Sequence, residues 1–229
     1  MAVRFIGEMM RPVDPGEPHL PCVIAVDTSE SMSGGSIDEL NDGLKAFVQA
    51  LVEDSQAFGR IEVCVISFNS NVNVSVPFTP VEEFVAPRFE ASGSTAMNEA
   101  IITALDIIED RKADYKRRSI KYYRPWFFLM TNAHATDLEK QSQAIYKLTD
   151  SISRRQVSFF PMAIGENADI AILKTYANNN DICLLYTSYI RIVLQHEAVR
   201  IFSRKIHGNT SFGIESERNP IHALSGNRS

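Results

Sequence analysis

Asp27, Ser29 and Ser31 stand at alternate positions in "VDTSESM" (26–32), directly after the apolar run "CVIAV". A carboxylate and two hydroxyls so placed suit three kinds of chemistry. They can form a hydroxyl-rich turn that caps a helix, a nucleophile awaiting a base, or part of an oxygen-lined cation site. In a loop that is still extended after a strand, alternate side chains face the same way, as a shared ligand would require. Two other stretches carry matching groups: "SGST" (92–95) with Thr95, and "TNAHATD" (131–137) with Asn132.

The catalytic readings lack their second components. His134 invites a triad with Ser29 or Ser31, yet the chain has no Gly-x-Ser-x-Gly elbow. "HEAVR" (196–200) opens like a zinc helix, but Arg200 fills the second ligand's place. A phosphohydrolase of the haloacid dehalogenase type needs an acid/base carboxylate two residues after its first Asp, where this chain has Ser29.

The elements that must position these loops follow from hydrophobic periodicity. "CVIAV" (22–26) is a short apolar run that suits a strand buried on both faces. Ser36 and Glu39 have the spacing of a capping box ahead of Ile37, Leu40, Leu44, Phe47, Val48 and Leu51 at helical intervals. "IEVCVISFN" (61–69) and "VNVSVPF" (72–78) flank Ser70-Asn71 and read as a hairpin, which makes the second an antiparallel edge strand. Met97, Ala100, Ile101, Ala104, Leu105 and Ile108 mark a helix starting just after "SGST", with Thr95 as a possible N-cap. "PWFFLM" (125–130) is a third buried strand, and Thr136 with Glu139 gives a second capping box before Ile145, Leu148 and Ile152. "VSFFPMAIG" (157–165) reads as a strand, followed by a short helix near 169–176 and a last strand near 181–186.

This alternation predicts an α/β fold of the Rossmann-like, doubly wound kind. Its sheet is mostly parallel with one antiparallel edge strand, and helices cover both faces. Ligands of such sheets sit beyond the C-terminal ends of the strands, where all three polar loops converge. The groups brought there are one carboxylate (Asp27), three hydroxyls (Ser29, Ser31, Thr95) and the amide oxygen of Asn132. These hard oxygen donors suit Mg2+, Mn2+ or Ca2+ better than zinc. An ion with so few charged ligands keeps Lewis acidity for a partner's carboxylate.

Asp-x-Ser-x-Ser after the first strand, Gly-Ser-Thr before a helix and Thr-Asn-x-x-x-Thr-Asp after a later strand together resemble a von Willebrand factor A-type domain. "AVDTSESMSGGSIDELNDGLKAF", "VISFNSNVNVSVPF", "ASGSTAMNEAI" and "YYRPWFFLMTNAHATD" are similar to its bacterial YegL/TerY-like group, associated with tellurium resistance, from about Pro21 to Asp181. The resemblance implies a metal-ion-dependent adhesion site. Asp27, Ser29, Ser31 and Thr95 would be ligands, direct or through water, with position 132 as the remaining one. It also implies a non-catalytic module in a cytoplasmic stress or metalloid-resistance system. The expected partner is a protein presenting an acidic residue, such as a kinase or phosphatase component of that system. The family usually has "TDG" where this chain has "TNA", so Asn132 removes one negative charge and Ala133 replaces a glycine. A domain that has lost its metal and binds by packing alone is the first alternative, and a Mg2+-dependent phosphohydrolase the second.

Bulk properties agree with such a module. The chain has 229 residues, 45% hydrophobic and 22% charged, with a net charge of −5, which argues against a nucleic-acid surface. It contains no apolar run long enough to span a membrane and no secretory h-region. Cys22, Cys64 and Cys183 lie far apart in apolar runs and fit reduced, buried thiols. Seven basic side chains between Arg111 and Arg124, interleaved with tyrosines, read as a solvated helix end or as a surface for an acidic partner. Residues 1–20 form an extended segment and 21–206 the domain, with a final helix expected over 189–206. Residues 207–229 form a polar tail expected to be disordered. "CLLYTS" (183–188) looks like a translated sequencing adapter, so residues after about 183 are suspected to be chimeric.

Overall fold

A computed structural model describes residues 18–53, 59–177 and 183–185. The extended N-terminal segment, the apolar stripe at 190–202, "HEAVR" and the polar tail all lie outside the described residues. Six strands form one sheet: β1 Leu20–Asp27, β2 Ile61–Phe68, β3 Val72–Pro80, β4 Trp126–Thr131, β5 Ser158–Ile164 and β6 Cys183–Leu185, in the order β3-β2-β1-β4-β5-β6. All neighbours are parallel except β2 and β3, which pair antiparallel. The doubly wound sheet with one antiparallel edge strand is as the sequence predicts. The hairpin loop is Asn69–Asn71, one residue longer than expected, and β3 runs on to Pro80 through a register shift opposite Val63–Ile66. The suspect "CLL" pairs with Met162–Ile164 and adds the sixth strand.

The helices are α1 Gly35–Glu53, α2 Met97–Arg117, α3 Gln141–Ser153 and α4 Ile170–Tyr176. Strand alternation sorts side chains between two cores. Cys22, Ile24 and Val26 of β1 join Trp126, Phe128 and Met130 of β4 against Leu40, Leu44 and Phe47 of α1. Val23 and Ala25 join Phe127 and Leu129 against α2, with Leu148 of α3 and Leu173 and Tyr176 of α4 on the same face. β1 is therefore buried along its whole length, which accounts for its unbroken apolar run.

Local capping differs from what the sequence suggests. Helix α1 begins at Gly35, so Ser36 lies inside its first turn and not at its cap. Helix α3 begins at Gln141, after a 3-10 turn over Leu138–Lys140, and Lys140 at its cap position makes no side-chain capping bond. The cap position of α2 is Ala96 and not Thr95. In each case a hydroxyl expected to cap its own helix is placed differently by tertiary packing.

The basic stretch divides: two of its side chains turn inward, while Lys116, Arg117 and Lys121 are exposed and Arg118 and Arg124 are half-buried. Arg111 and Lys112 are buried. Arg111 donates from Nε to Glu62 Oε2 at 3.0 Å and from a second nitrogen to Oε1, while the Tyr115 hydroxyl donates to the same carboxylate. Lys112 pairs with Glu109 at 2.8 Å, and Arg117 and Arg118 reach Asp114 at 3.2 and 3.3 Å. These last pairs are local to the end of α2, a largely solvated helix end, whereas the Arg111 and Tyr115 bonds clamp it to the start of β2. A buried pair of this kind adds little net stability but leaves a costly charge if one partner is removed.

Cys22 and Cys64 are fully buried, and burial pushes both thiols up, that of Cys64 to about 12. A thiolate is the reactive form. In a Cys183→Ser background, a thiol reagent at pH 8 should therefore label the protein only as it unfolds, in step with loss of circular dichroism. Rapid labelling of the native protein would contradict this core.

Candidate functional site

The chain proceeds from β1 outward to β2 and β3, then crosses back to β4 on the other side of β1. The winding direction reverses between β1 and β4, and a crevice opens at such a switch point. Both strands end there in polar residues, Asp27 and Thr131-Asn132, because Val26 pairs with Met130.

Asp27 is fully buried. Its Oδ1 accepts the Ser29 N–H at 2.9 Å, and its Oδ2 accepts the Thr131 hydroxyl at 2.5 Å. Burial pushes the carboxyl above the usual carboxylate range, and the bonds from Ser29 and Thr131 pull it partway back. Ser29 is also buried, whereas Ser31 opens to solvent. Their hydroxyls lie 3.0 Å apart. Asn132 completes the row, with Oδ1 3.3 Å and Nδ2 2.9 Å from Ser31 Oγ. Its Nδ2 also donates to the Ser31 carbonyl at 3.0 Å, and its Oδ1 accepts the His134 N–H at 3.3 Å.

The second loop is fastened to both of the others. Ser92 N–H donates to Thr28 O at 2.8 Å, and Glu30 N–H donates to Gly93 O at 2.9 Å. Gly93 has φ +75°, and a Cβ there would come within 2.5 Å of Ser70 Oγ, so the loop needs glycine at this point. Thr95 is buried. Its N–H donates to Thr136 Oγ1 at 3.0 Å, and its carbonyl accepts the Thr136 N–H at 2.9 Å. Asp27, Ser29, Ser31 and Asn132 thus form one bonded cluster, and Thr95 is held beside the third loop through its backbone.

The sequence reading missed the residues that do this fastening. Asp137 caps α2 from another loop: Oδ1 accepts Asn98 N–H at 3.2 Å and Oδ2 accepts Glu99 N–H at 2.8 Å. The buried Asn98 reaches back to Asp137 O at 3.0 Å and accepts the Tyr176 hydroxyl at 2.6 Å. Asn132 O accepts Asp169 N–H at 2.9 Å, and Asp169 Oδ1 caps α4 by accepting Ile172 N–H at 2.9 Å. A carboxylate just before a helical segment is a visible signal in "ATD", but it suggests a cap for α3. Only the tertiary structure redirects it to α2.

The donor set fits a hard divalent cation: five oxygen-bearing side chains, four of them buried, with Ser31 at the mouth. Asp27 is the only carboxylate of the five, and no group of three or more histidine, cysteine or acidic residues suited to a metal occurs among the described residues.

A family model described as the von Willebrand factor type A domain matches residues 22–121. The fold is that of a von Willebrand factor A domain. Among solved structures, the pilus adhesin SpaC from Lactobacillus rhamnosus GG in its open conformation superposes with a TM-score of 0.62 at 12% identity, over 82% of this chain and 30% of that one. The manganese-loaded TRAP protein of Plasmodium vivax gives 0.56 at 13% identity, over 77% and 72%. The ArnB paralog VWA2 from Sulfolobus acidocaldarius gives 0.54 at 15% identity, over 79% and 45%. The chain thus spans less than half of the adhesin and of the ArnB paralog, and at these identities the likeness shows the fold alone. No curated protein matched the sequence.

Three substitutions test the frame of this domain. Asp137→Ala removes the α2 cap and should cost about 1–2 kcal/mol in denaturant unfolding; an unchanged midpoint would mean that the cap contributes nothing. Ala133 is buried at φ +68°, a left-handed conformation costing a side chain about 1–2 kcal/mol. Ala133→Gly relieves that strain but loses a buried methyl of about 0.8 kcal/mol and some chain rigidity. It should therefore stay within about 1 kcal/mol of wild type. By contrast, Ala104→Gly in buried α2 should lose about 2 kcal/mol.

Proposed function

We propose that this domain is a non-catalytic interaction module whose switch-point cluster holds a divalent cation and, through it, a carboxylate of a protein partner. The observation that carries the reading is the joining of Asp27, Ser29, Ser31 and Asn132 into one oxygen-rich cluster, with Thr95 fastened alongside. Von Willebrand factor A domains are in general interaction modules, which supports the absence of catalysis. The manganese-loaded neighbour supports a cation as a ligand of this fold. Asp27, Ser29, Ser31, Thr95 and Asn132 would hold Mg2+, Mn2+ or Ca2+, directly or through water. The cation would supply a Lewis-acid position for the incoming carboxylate.

The balance of charge makes a partner's acid the natural sixth component. Unit charges 4 Å apart interact by about 4 kcal/mol at an effective dielectric of about 20. One carboxylate beneath a doubly charged ion leaves a net positive centre at the mouth, which a second carboxylate neutralises. Similarity to the YegL/TerY-like group extends the proposal to a bacterial cytoplasmic setting in a stress or tellurium-resistance system. No helix among the described residues is long and apolar enough to cross a membrane.

Isothermal titration of Mg2+ and Mn2+ into wild type and Asp27→Ala tests the site. Heat is expected from wild type alone, and heat from neither would refute the cation. Immobilised wild type offered bacterial lysate should retain protein in Mg2+ and release it in EDTA, whereas Asp27→Ala should retain none. Retention that ignores EDTA would favour binding by packing alone.

A further inference from the structure

The Asn132 carboxamide is oriented by two partners that admit one assignment. The Ser31 carbonyl can only accept a hydrogen bond, and the atom 3.0 Å from it is Nδ2. The His134 backbone N–H can only donate, and the atom 3.3 Å from it is Oδ1. Exchanging the amide's nitrogen and oxygen would set two oxygens against each other on one side and two N–H groups on the other. Nδ2 therefore faces Ser31, and it is also the amide atom nearer to the Ser31 hydroxyl, at 2.9 Å against 3.3 Å for Oδ1.

This geometry has a consequence for the cation reading, on which the inference rests. A cation at the cluster needs oxygen lone pairs, and Nδ2–H takes one of those on Ser31 Oγ. Both amide hydrogens are spent on Ser31, one on its carbonyl and one on its hydroxyl. We infer that Asn132 is a latch: its N–H groups hold the first loop to the third in place of a cation, and an ion binds only by displacing the bond to Ser31 Oγ. The site therefore has low affinity for a cation alone. Loading becomes favourable when a partner's carboxylate arrives with it, so cation and partner bind cooperatively. A carboxylate at position 132 would have no donor to hold Ser31 and would bring a second negative charge beside Asp27. Such a site would depend on its ion in order to close.

The test uses the full chain as wild type, Asn132→Asp and the double variant Asp27→Ala/Asn132→Asp, titrated with Mn2+ and Mg2+ alone. Asn132→Asp should bind at least tenfold more tightly than wild type, and the double variant should lose the gain. A second readout is thermal unfolding. Without cation, Asn132→Asp should melt below wild type, and saturating Mg2+ should raise its Tm by more than it raises that of wild type. A variant that folds only with Mg2+ present answers in the same sense. Equal or tighter binding by wild type would overturn the latch while leaving the cation site intact. No binding by either protein would overturn the cation reading and the latch with it.

Discussion

A carboxylate sits fully buried at the end of the most enclosed strand in the sheet. Asp27 is there because β1 lies between β2 and β4, so the polar residue ending its apolar run emerges at the reversal of the winding and not at the surface. Burial disfavours the ionised form, and the surroundings oppose that chiefly with oriented donors: the Ser29 N–H on one oxygen and the Thr131 hydroxyl on the other. Thr131 belongs to β4 and Ser29 to the first loop. Accommodating this one charge therefore already joins two of the three loops.

The third connection closes a ring. Thr95 and Thr136 exchange backbone and hydroxyl bonds, and Asp137 continues from there into the N-terminus of α2. A helix N-terminus presents unpaired N–H groups and a partial positive charge, so an acceptor carboxylate is well placed there. That the acceptor comes from a different loop makes the cap a tertiary crosslink. Beyond it, Asn98 and Tyr176 carry the connection to α4, and Asp169 returns it to the backbone of Asn132. The loops are thus held by bonds among themselves, as a site intended to meet a partner in a fixed geometry requires.

The two ends of the sheet handle buried charge in opposite ways. Where β2 begins, Glu62 meets Arg111 and Tyr115 in a closed set with a full opposite charge at hand. At the other end, Asp27 has only neutral donors within hydrogen-bond reach, and the crevice opens to solvent through Ser31. The first arrangement is complete in itself and holds structure. The second retains capacity for a ligand, and the Asn132 amide sets how readily one enters.

The sequence alone settled the order of strands and helices, the reversal that makes β3 an edge strand, and the convergence of three loops at one edge. Each of these rests on patterns local to the chain: alternating or unbroken apolar runs, helical spacing, and the i, i+2, i+4 placement of Asp27, Ser29 and Ser31. Only the tertiary structure decided what the remaining polar groups do. Ser36, Thr95, Thr136 and Asp137 all stand near helix starts and suggest caps for their own helices, yet Thr136 bonds to Thr95 and Asp137 caps α2. The seven basic residues near Arg111 suggest a surface, yet Arg111 itself closes on Glu62, a carboxylate brought close by packing from 49 residues away. Asn132 is visible in the sequence as an oxygen donor with one charge fewer, and the direction its amide faces is not visible at all. A hydrogen-bonding side chain takes its partners from whatever lies within about 3 Å, and across more than a hundred residues of chain that is fixed by the fold.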